Sequence, residues 1–236
     1  MSNRHKRIVA TLDTGTSADW NADHEINYML YISEELLRLG DPLATIWDTA
    51  ETIDGAVPVW VLVGAAGSEH ATVELNTGAD TGHISSMRYM LDGAVSNVTS
   101  PNDLPVLTMA VQIDTVDVTG KTVEFGFVPS ATTPFTANQA GAYFRVNNNT
   151  LYAVTGTGAA ETATSLGAYN EYDHYRIEFM STLVNFYVGS VATPVAIHTT
   201  HRPVVALTAK VSVISVNDTD STIRSDAIGL TRLRLQ

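Results

Sequence analysis

The chain has 236 residues, a formal net charge of −12 at pH 7 and no cysteine. Without cysteine it can form neither a disulfide nor a thiolate metal site, and its 13 Lys and Arg residues are too scattered for a nucleic-acid-binding face. Hydrophobic residues make up 44% and charged residues 16%, which is enough apolar surface for one large core. We therefore expect a folded protein that does not bind nucleic acid.

The start of the chain carries no sign of export or membrane anchoring. Met1–Arg7 is polar and basic, no apolar segment follows it, and no stretch elsewhere reaches the roughly 18 apolar residues of a membrane span. We expect no membrane partner.

An amphipathic helix is predicted over Asp23–Gly40. Asp23 is a suitable N-cap and Gly40 a suitable end, and Asp41-Pro42 then breaks the chain. The apolar residues that recur at helical spacing are Ile26, Met29, Leu30, Leu36 and Leu37. Such a helix must bury its apolar face, either on its own domain or on a neighbouring subunit. We predict two segments, an N-terminal arm and helix over residues 1–41 and one β-domain over residues 42–236.

Beyond Pro42 the pattern changes to short apolar runs separated by Gly, Asn, Asp, Thr and Pro. The predicted strands are Val57–Val63, Ala71–Asn76, His83–Leu91, Val106–Ile113, Thr122–Val128, Ala142–Val146, Leu151–Thr155, Tyr175–Phe179, Val184–Val188, Val204–Val216 and Ile228–Leu235. Thr155–Thr164, rich in Gly, Ala and Thr, is predicted to be a loop or a thin hairpin. This many short strands predicts an all-β fold, a two-sheet antiparallel sandwich.

Two hairpin-like segments resemble the concanavalin-like lectin and glucanase domains. Asp173–Phe179 followed by Leu183–Gly189 is similar to their late hairpin, in which an H-x-[YF]-R-I-E-[FW] strand turns into one reading V-x-F-Y-V-D-G. Gly141–Thr155 resembles the preceding hairpin. The resemblance covers Ile53–Gln236 and implies a jelly-roll sandwich. Gly189-Ser190 stands where that family often has D-G, which argues against an inherited sugar or metal role for the turn.

A second resemblance concerns biological context. The chain has few charged residues and is rich in Ala, Thr, Val and Gly, and in this it resembles jelly-roll domains of tailed-bacteriophage structural proteins. Asp13–His24 also resembles leader segments of phage particle proteins. This implies a virion protein made in the host cytoplasm: a capsid decoration or cement protein that binds the major capsid protein, as a homo-oligomer such as a trimer. The alternative is a carbohydrate- or receptor-binding module of a tail or fibre. The predicted partner-binding residues are Arg4, Lys6, Arg7, Trp20 and Trp47.

The carboxylates do not predict an enzyme. Retaining glucanases need two carboxyl groups about 5–5.5 Å apart as nucleophile and acid/base. The nearest match to their Glu-x-Asp-x-x-Glu motif is Glu171–Arg176, which ends in arginine, a group that cannot act as a general acid at neutral pH. Glu124 has no carboxylate two or four residues away. We predict no catalytic residues.

Metal sites are also not expected. His198 and His201 could form a metal pair, but residues three apart on a strand point to opposite faces, which favours loop or surface histidines. The carboxylates that calcium could use are Asp80, Asp114, Asp117, Asp218, Asp220 and Asp226. Aspartate is also common in turns for reasons of backbone conformation alone. We therefore predict no cofactor, with a structural calcium ion as the alternative. Trp60, within an apolar strand, is predicted to be core.

Overall fold

The computed structural model describes residues 28–35, 47–48, 59–63, 70–77, 81–89, 99–115, 121–170, 172–216 and 222–234. The strands are β1 Tyr28–Glu35, β2 Trp47–Asp48, β3 Val59–Val63, β4 His70–Asn76, β5 Ile84–Tyr89, β6 Val106–Thr115, β7 Lys121–Val128, β8 Gly141–Asn147, β9 Thr150–Gly156, β10 Glu161–Ala168, β11 Tyr172–Phe179, β12 Val184–Val188, β13 Ala196–His198, β14 Thr208–Ile214 and β15 Thr222–Arg234. A short 3-10 turn, Pro101–Asp103, precedes β6.

The strands form two antiparallel sheets. In the first, sheet A, the order is β13-β12-β11-β6-β15-β4-β3, and β1 also pairs with β15. In the second, sheet B, the order is β10-β9-β8-β7-β14-β5-β2. Neighbours in each sheet are often distant in sequence, as expected for a jelly roll. The predicted two-sheet antiparallel sandwich is confirmed.

Alternating side chains from both sheets fill the space between them. On β11, Tyr175, Ile177 and Phe179 are buried, as the alternation predicts. Aromatic rings join the two sheets, because the Phe125 ring of sheet B lies 4.7 Å from the Tyr175 ring of sheet A, and Phe144 lies 5.4 Å from Phe186. Such edge-to-face pairs add to the free energy gained by burial. The core therefore lies between the sheets, and the functional surfaces lie on their outer faces and edges.

The predicted helix Asp23–Gly40 is wrong over the residues that the structure describes. Residues Tyr28–Glu35 form strand β1, which pairs with β15 from Tyr28 opposite Arg234 to Glu35 opposite Ala227. β4 occupies the same side of β15 only as far as Ser225, so β1 continues the sheet where β4 stops. Strand pairing with a distant segment here outweighs a local helical spacing. The rest of the predicted helix lies outside the described residues.

Two other segments differ from the sequence prediction. Thr155–Thr164 contains the end of β9, a turn and the start of β10, so the hairpin interpretation is confirmed and an additional strand is present. The predicted strand Val204–Val216 is shorter, because β14 begins at Thr208, after a segment in which Val204 and Val205 are exposed. Among the residues described, no helix has the length and hydropathy needed to cross a membrane.

Candidate functional site

Glu124 lies on β7 and is buried in an ion-pair cluster on the outer face of sheet B. Its Oε1 atom accepts a hydrogen bond from Arg145 Nε at 2.8 Å, and both side chains are 4% exposed. Arg145 also donates to both carboxylate oxygens of Glu161 on β10, at 2.9 and 3.2 Å. Its Nη2 atom donates to the Tyr143 hydroxyl at 2.7 Å. Three side chains from three strands, those of Glu124, Tyr143 and Glu161, therefore share the guanidinium of Arg145; we call these four residues the ion-pair cluster.

The cluster fixes the ionisation of its members. Burial alone lowers the pKa of Arg145, but the hydrogen bonds that Arg145 donates to Glu161 and the charge of Glu124 outweigh the effect of burial, so the pKa of Arg145 is raised. Burial, and then the charge of Glu124, raises the pKa of Tyr143 well above its usual range. Arg145 therefore stays charged and Tyr143 stays neutral across the physiological pH range.

A loop of residues 129–140 covers this face of sheet B. Glu124 Oε2 accepts from the Phe135 backbone N–H at 2.9 Å, and Lys210 Nζ donates to the Thr132 carbonyl at 2.8 Å. Arg88 Nη1 donates to the Ser130 carbonyl. Lys210 and Ser212 on β14 are almost completely buried as a result. The charged side chains of this face thus hold a covering loop instead of lining an open cleft.

Of the second carboxylate candidate, Glu171–Arg176, the structure describes the part from Tyr172 onward, on β11. Glu171 itself lies outside the described residues. Asp173 accepts from the Asn170 side-chain amide at 2.8 Å and from the His174 backbone N–H at 2.8 Å. Tyr175 lies in the core, and Arg176 stacks on Tyr187.

The two predicted histidines do not converge on a common point. His198, on β13, is buried between Thr155 Oγ1, 2.9 Å from its Nδ1, and Thr164 Oγ1, 2.9 Å from its Nε2. Because Thr155 Oγ1 donates to the Thr200 carbonyl, it can accept from the Nδ1–H of His198, and in the neutral ring Nε2 then accepts from Thr164 Oγ1. Burial lowers the pKa of His198 accordingly. His201 is exposed, with its Nδ1 atom 2.8 Å from Thr162 Oγ1.

The other predicted site residues divide between strands and undescribed segments. Asp114 belongs to β6 and Asp226 to β15, whereas Asp80, Asp117, Asp218 and Asp220 lie outside the described residues. Within the described ranges, no group of three or more His, Asp or Glu side chains could hold a metal ion. Trp47 belongs to β2, opposite Tyr89, and Trp60 to β3, opposite Val73. Arg4, Lys6, Arg7 and Trp20 lie outside the described residues.

Sequence reasoning missed one surface, the side of the sandwich formed by β10 and β13. Each of these strands ends its sheet and pairs on one side only among the described strands. The two edges are joined by the hydrogen bonds that His198 makes with Thr155 and Thr164 and by a 2.8 Å contact between the hydroxyls of Thr162 and Thr200. We call this surface the β10/β13 edge.

The β10/β13 edge is almost free of charge. β10 has the sequence ETATSLGA, and its one ionised residue, Glu161, is paired with Arg145. Ile197 on β13 and Val195 just before it are exposed, and the other exposed large hydrophobic residues of the described chain are Met180, Val191, Val204 and Val205. All six are aliphatic, with Val204 85% exposed. Arg202 holds the Val204 segment in place by donating to the Met180 and Ser181 carbonyls, at 2.8 and 3.0 Å.

A shallow groove of about 530 Å³ lies on the outer face of sheet A. Its floor is formed by β6 and β11, and one wall by the loop from Gly189 to Ala192. The Gly189 N–H donates to the His174 carbonyl at 2.7 Å, and its φ of +74° lets the chain turn sharply there. The groove is therefore a feature of the β11–β12 hairpin whose sequence pattern resembled lectin and glucanase domains.

No family model and no curated protein sequence matches this chain. Several solved structures are similar to this chain in fold. The exoplasmic/lumenal domain of VIP36, in a form bound to Ca²⁺ and Man3GlcNAc, matches with 9% identity over 81% of this chain and 85% of its own, with a TM-score of 0.55. A protein of unknown function from Shewanella oneidensis MR-1 matches with 10% identity over 100% of this chain and 95% of its own, with a TM-score of 0.62.

A prokaryotic β-1,3-1,4-glucanase (lichenase) from a mouse hindgut metagenome matches with 11% identity over 85% of this chain and 98% of its own, with a TM-score of 0.55. At these identities the likeness concerns the fold alone. The chain has the concanavalin-like jelly-roll fold.

Proposed function

We propose that this chain is a non-catalytic structural protein of a tailed-phage virion, a capsid decoration or cement protein that binds neighbouring subunits and stabilises the particle. The observation that carries the proposal is the β10/β13 edge, an uncharged pair of sheet edges with exposed aliphatic side chains next to it. Natural proteins usually protect such edges with lysine, proline or a covering segment, because an open edge pairs with another chain. β10 contains neither lysine nor proline, and an edge of this kind fits a protein whose work is assembly.

The regular part of β10 is long enough to take part in such pairing. A bulge between Ser165 and Gly167 interrupts its register with β9, which leaves Glu161–Ser165 as a regular edge segment. Ala163 and Ser165 are exposed on the outer side of this segment, whereas Thr162 and Thr164 contact the residues around His198 and His201. A partner strand would therefore meet small, uncharged side chains.

The ion-pair cluster supports a structural protein over a glycoside hydrolase. Glu124 and Glu161 both bind Arg145, so a guanidinium occupies the space between the two carboxylates. A retaining glycosidase needs its second carboxylate free to attack the sugar, and an inverting one needs room there for a water. The covering loop also packs directly over Glu124.

Lysine substitutions on the edge test the proposal. The double variant Ala163→Lys, Ser165→Lys places two charges on an exposed strand edge, where they block pairing with another chain at little cost to the fold. We expect its self-association and its binding to virus particles to weaken by about tenfold or more, the equivalent of about 1.4 kcal/mol. Light scattering after size-exclusion chromatography measures the first, and co-sedimentation with particles measures the second.

Ala131→Lys is the matched control, because Ala131 is also exposed but lies in the covering loop away from β10. It should assemble and bind particles like the unmodified chain. If the double variant binds particles as well as Ala131→Lys does, or if the unmodified chain neither associates nor binds particles, the proposal is wrong.

The groove on sheet A favours a second candidate function, a carbohydrate- or receptor-binding module of a tail or fibre. Its volume of about 530 Å³ suits a small ligand, and the VIP36 domain with which the fold is shared was solved with Man3GlcNAc. A glycan array distinguishes the candidates, because a binding module retains a preferred glycan whereas a cement protein binds particles irrespective of glycans.

A further inference from the structure

Among the described residues that line the groove on sheet A, Arg176 carries a positive charge, and two neighbouring side chains orient it. The carbon at the centre of the Arg176 guanidinium lies 3.8 Å from the centre of the Tyr187 ring, close enough for a cation–π contact. Arg176 Nε also lies 3.2 Å from Glu178 Oε1, and Glu178 Oε2 in turn accepts from the Tyr187 hydroxyl at 2.7 Å. The ring and the carboxylate therefore hold the guanidinium in one orientation before any ligand arrives.

This orientation leaves Arg176 able to bind an anion. A guanidinium carries five N–H donors in a planar fork, and the contact with Glu178 involves its Nε end. Two parallel N–H groups match the two oxygens of a carboxylate better than they match a single neutral acceptor. Because the fork is already oriented, little side-chain entropy remains to be lost when a ligand binds.

The groove around Arg176 is polar at its rim and flat at its floor. Thr108 stands directly opposite Arg176 in the β6–β11 register, and Ala110 stands opposite His174. Thr108, His174 and Ser190 are exposed and supply hydroxyl and imidazole groups, while Ala110 on β6 adds only a small side chain to the floor. Hydroxyl and imidazole groups exchange hydrogen bonds with alcohol groups of a ligand.

We propose that this groove binds a compact hydroxylated carboxylate, a sugar acid of the hexuronate type, with its carboxylate on Arg176 and its hydroxyls on Thr108, His174 and Ser190. A single carboxylate suits the site because the protein as a whole carries a charge of −12, which opposes the binding of multiply charged anions. The inference rests on the second candidate function, carbohydrate binding, and is independent of assembly through the β10/β13 edge.

Calorimetric titration of the full chain tests the proposal with three probes: sodium D-glucuronate, D-glucose and sodium acetate. Glucose has similar hydroxyls without the carboxylate, and acetate has the carboxylate without the hydroxyls. We expect glucuronate to bind saturably, and glucose and acetate to bind at least about tenfold more weakly, since each lacks one half of the recognition.

Substitutions at Arg176 connect the binding to the groove. Arg176→Gln should abolish glucuronate binding, and Arg176→Lys, which keeps the charge but lacks the fork, should weaken it about tenfold. Arg202→Gln is the matched control, because Arg202 binds backbone carbonyls beyond β11 and does not line the groove. A thermal melt of each variant checks folding, and if Arg176→Gln is unstable, Arg176→Lys alone decides the test.

Three results would overturn the proposal: no saturable binding of glucuronate, equal binding of glucose, or unchanged binding to the Arg176 variants. The third would still leave carbohydrate binding in place at another surface, so it separates the failure of this groove from the failure of the second candidate function. None of these results bears on particle binding, which the lysine variants of β10 measure.

Discussion

Among single residues, Arg145 is a buried charge that stabilises the fold through its ion pairs. It is bound to Glu124, Glu161 and Tyr143 and is almost completely buried. A buried ion pair adds little to the free energy of folding compared with a well-packed apolar pair. Removing one partner is costly, however, because the other charge is then buried without compensation. The cluster should therefore tolerate replacement of all its charges better than loss of one.

We predict that Arg145→Met lowers the free energy of unfolding by about 3–5 kcal/mol, because two carboxylates then lose their cation. Urea denaturation at pH 7 measures this value. Arg202→Met, a change of the same residue type at a more exposed position, should cost much less. Adding Glu124→Gln and Glu161→Gln to Arg145→Met should recover part of the loss; no recovery would show that the cluster acts through packing and not through charge.

The buried His198 predicts a dependence of stability on pH. Burial lowers its pKa below the ordinary value of 6.5, so the unfolded chain takes up a proton at a higher pH than the folded one. The stabilisation by neutral His198 is therefore present above about pH 6.5 and is lost as the pH falls below that value. The histidine links β13 to β9 and β10, so the loss should loosen the β10/β13 edge.

We expect His198→Gln to show a smaller fall in the free energy of unfolding between pH 7.5 and pH 5.5 than the unmodified chain does. The exposed His201 provides the control, and His201→Gln should keep the slope of the unmodified chain. Equal slopes for all three proteins would contradict the account of His198.

The chemistry of these residues was only partly predictable from sequence. The sequence shows correctly that Glu124 has no carboxylate two or four residues away. A second carboxylate, Glu161, nevertheless lies near Glu124 in the fold, because both bind Arg145. Neighbours across a sheet are set by register, and β10 was not identified as a strand, so its contribution could not be foreseen. Arg176 lies in the hairpin whose pattern resembles lectin and glucanase domains. Its contact with Tyr187 could not be predicted, because it depends on the register in which β11 and β12 pair.

At the scale of elements, the central strand β7 contains a glycine that the sheet requires. Gly126 has a φ of +151°, and a Cβ atom there would lie 2.5 Å from Tyr143 Cα and 2.7 Å from the Ala142 carbonyl oxygen. Backbone atoms cannot move aside as a flexible side chain can. Gly167 on β10 also has a positive φ, +89°, but a Cβ atom there meets nothing within 4 Å.

We predict that Gly126→Ala destabilises the fold by about 2 kcal/mol more than Gly167→Ala, because both carry the backbone strain and only the first adds overpacking. Urea denaturation of the two variants measures the difference. Equal losses would mean that β7 and β8 can separate at this point without cost.

The strands of the domain were largely predictable, and the first one was not. Tyr175–Phe179 and Val184–Val188 alternate cleanly, so their periodicity identifies both the strand and its buried face. β1 instead carries Met29 and Leu30 at a spacing that also suits a helix. Its conformation depends on pairing with Ala227–Arg234, nearly 200 residues away in the sequence, which local periodicity cannot detect.

At the scale of the whole molecule, the fold is shared with lectins and glucanases, and function must come from the surfaces added to it. One outer face is closed by the covering loop and the ion-pair cluster. The other has a small groove, and the side of the sandwich has an uncharged edge. These surfaces are the basis of our two proposals, assembly through the β10/β13 edge and binding of a small ligand in the groove on sheet A.

The most direct test of the proposed assembly role is cryo-electron microscopy of the virus particle to which we assign this chain. The account predicts that β10 and β13 lie against a neighbouring subunit, with Ala163, Ser165 and Val204 buried in the contact, and that the covering loop over Glu124 stays closed. A reconstruction in which the β10/β13 edge faces solvent while another surface makes the contacts, or in which the chain is absent from the particle, would contradict it.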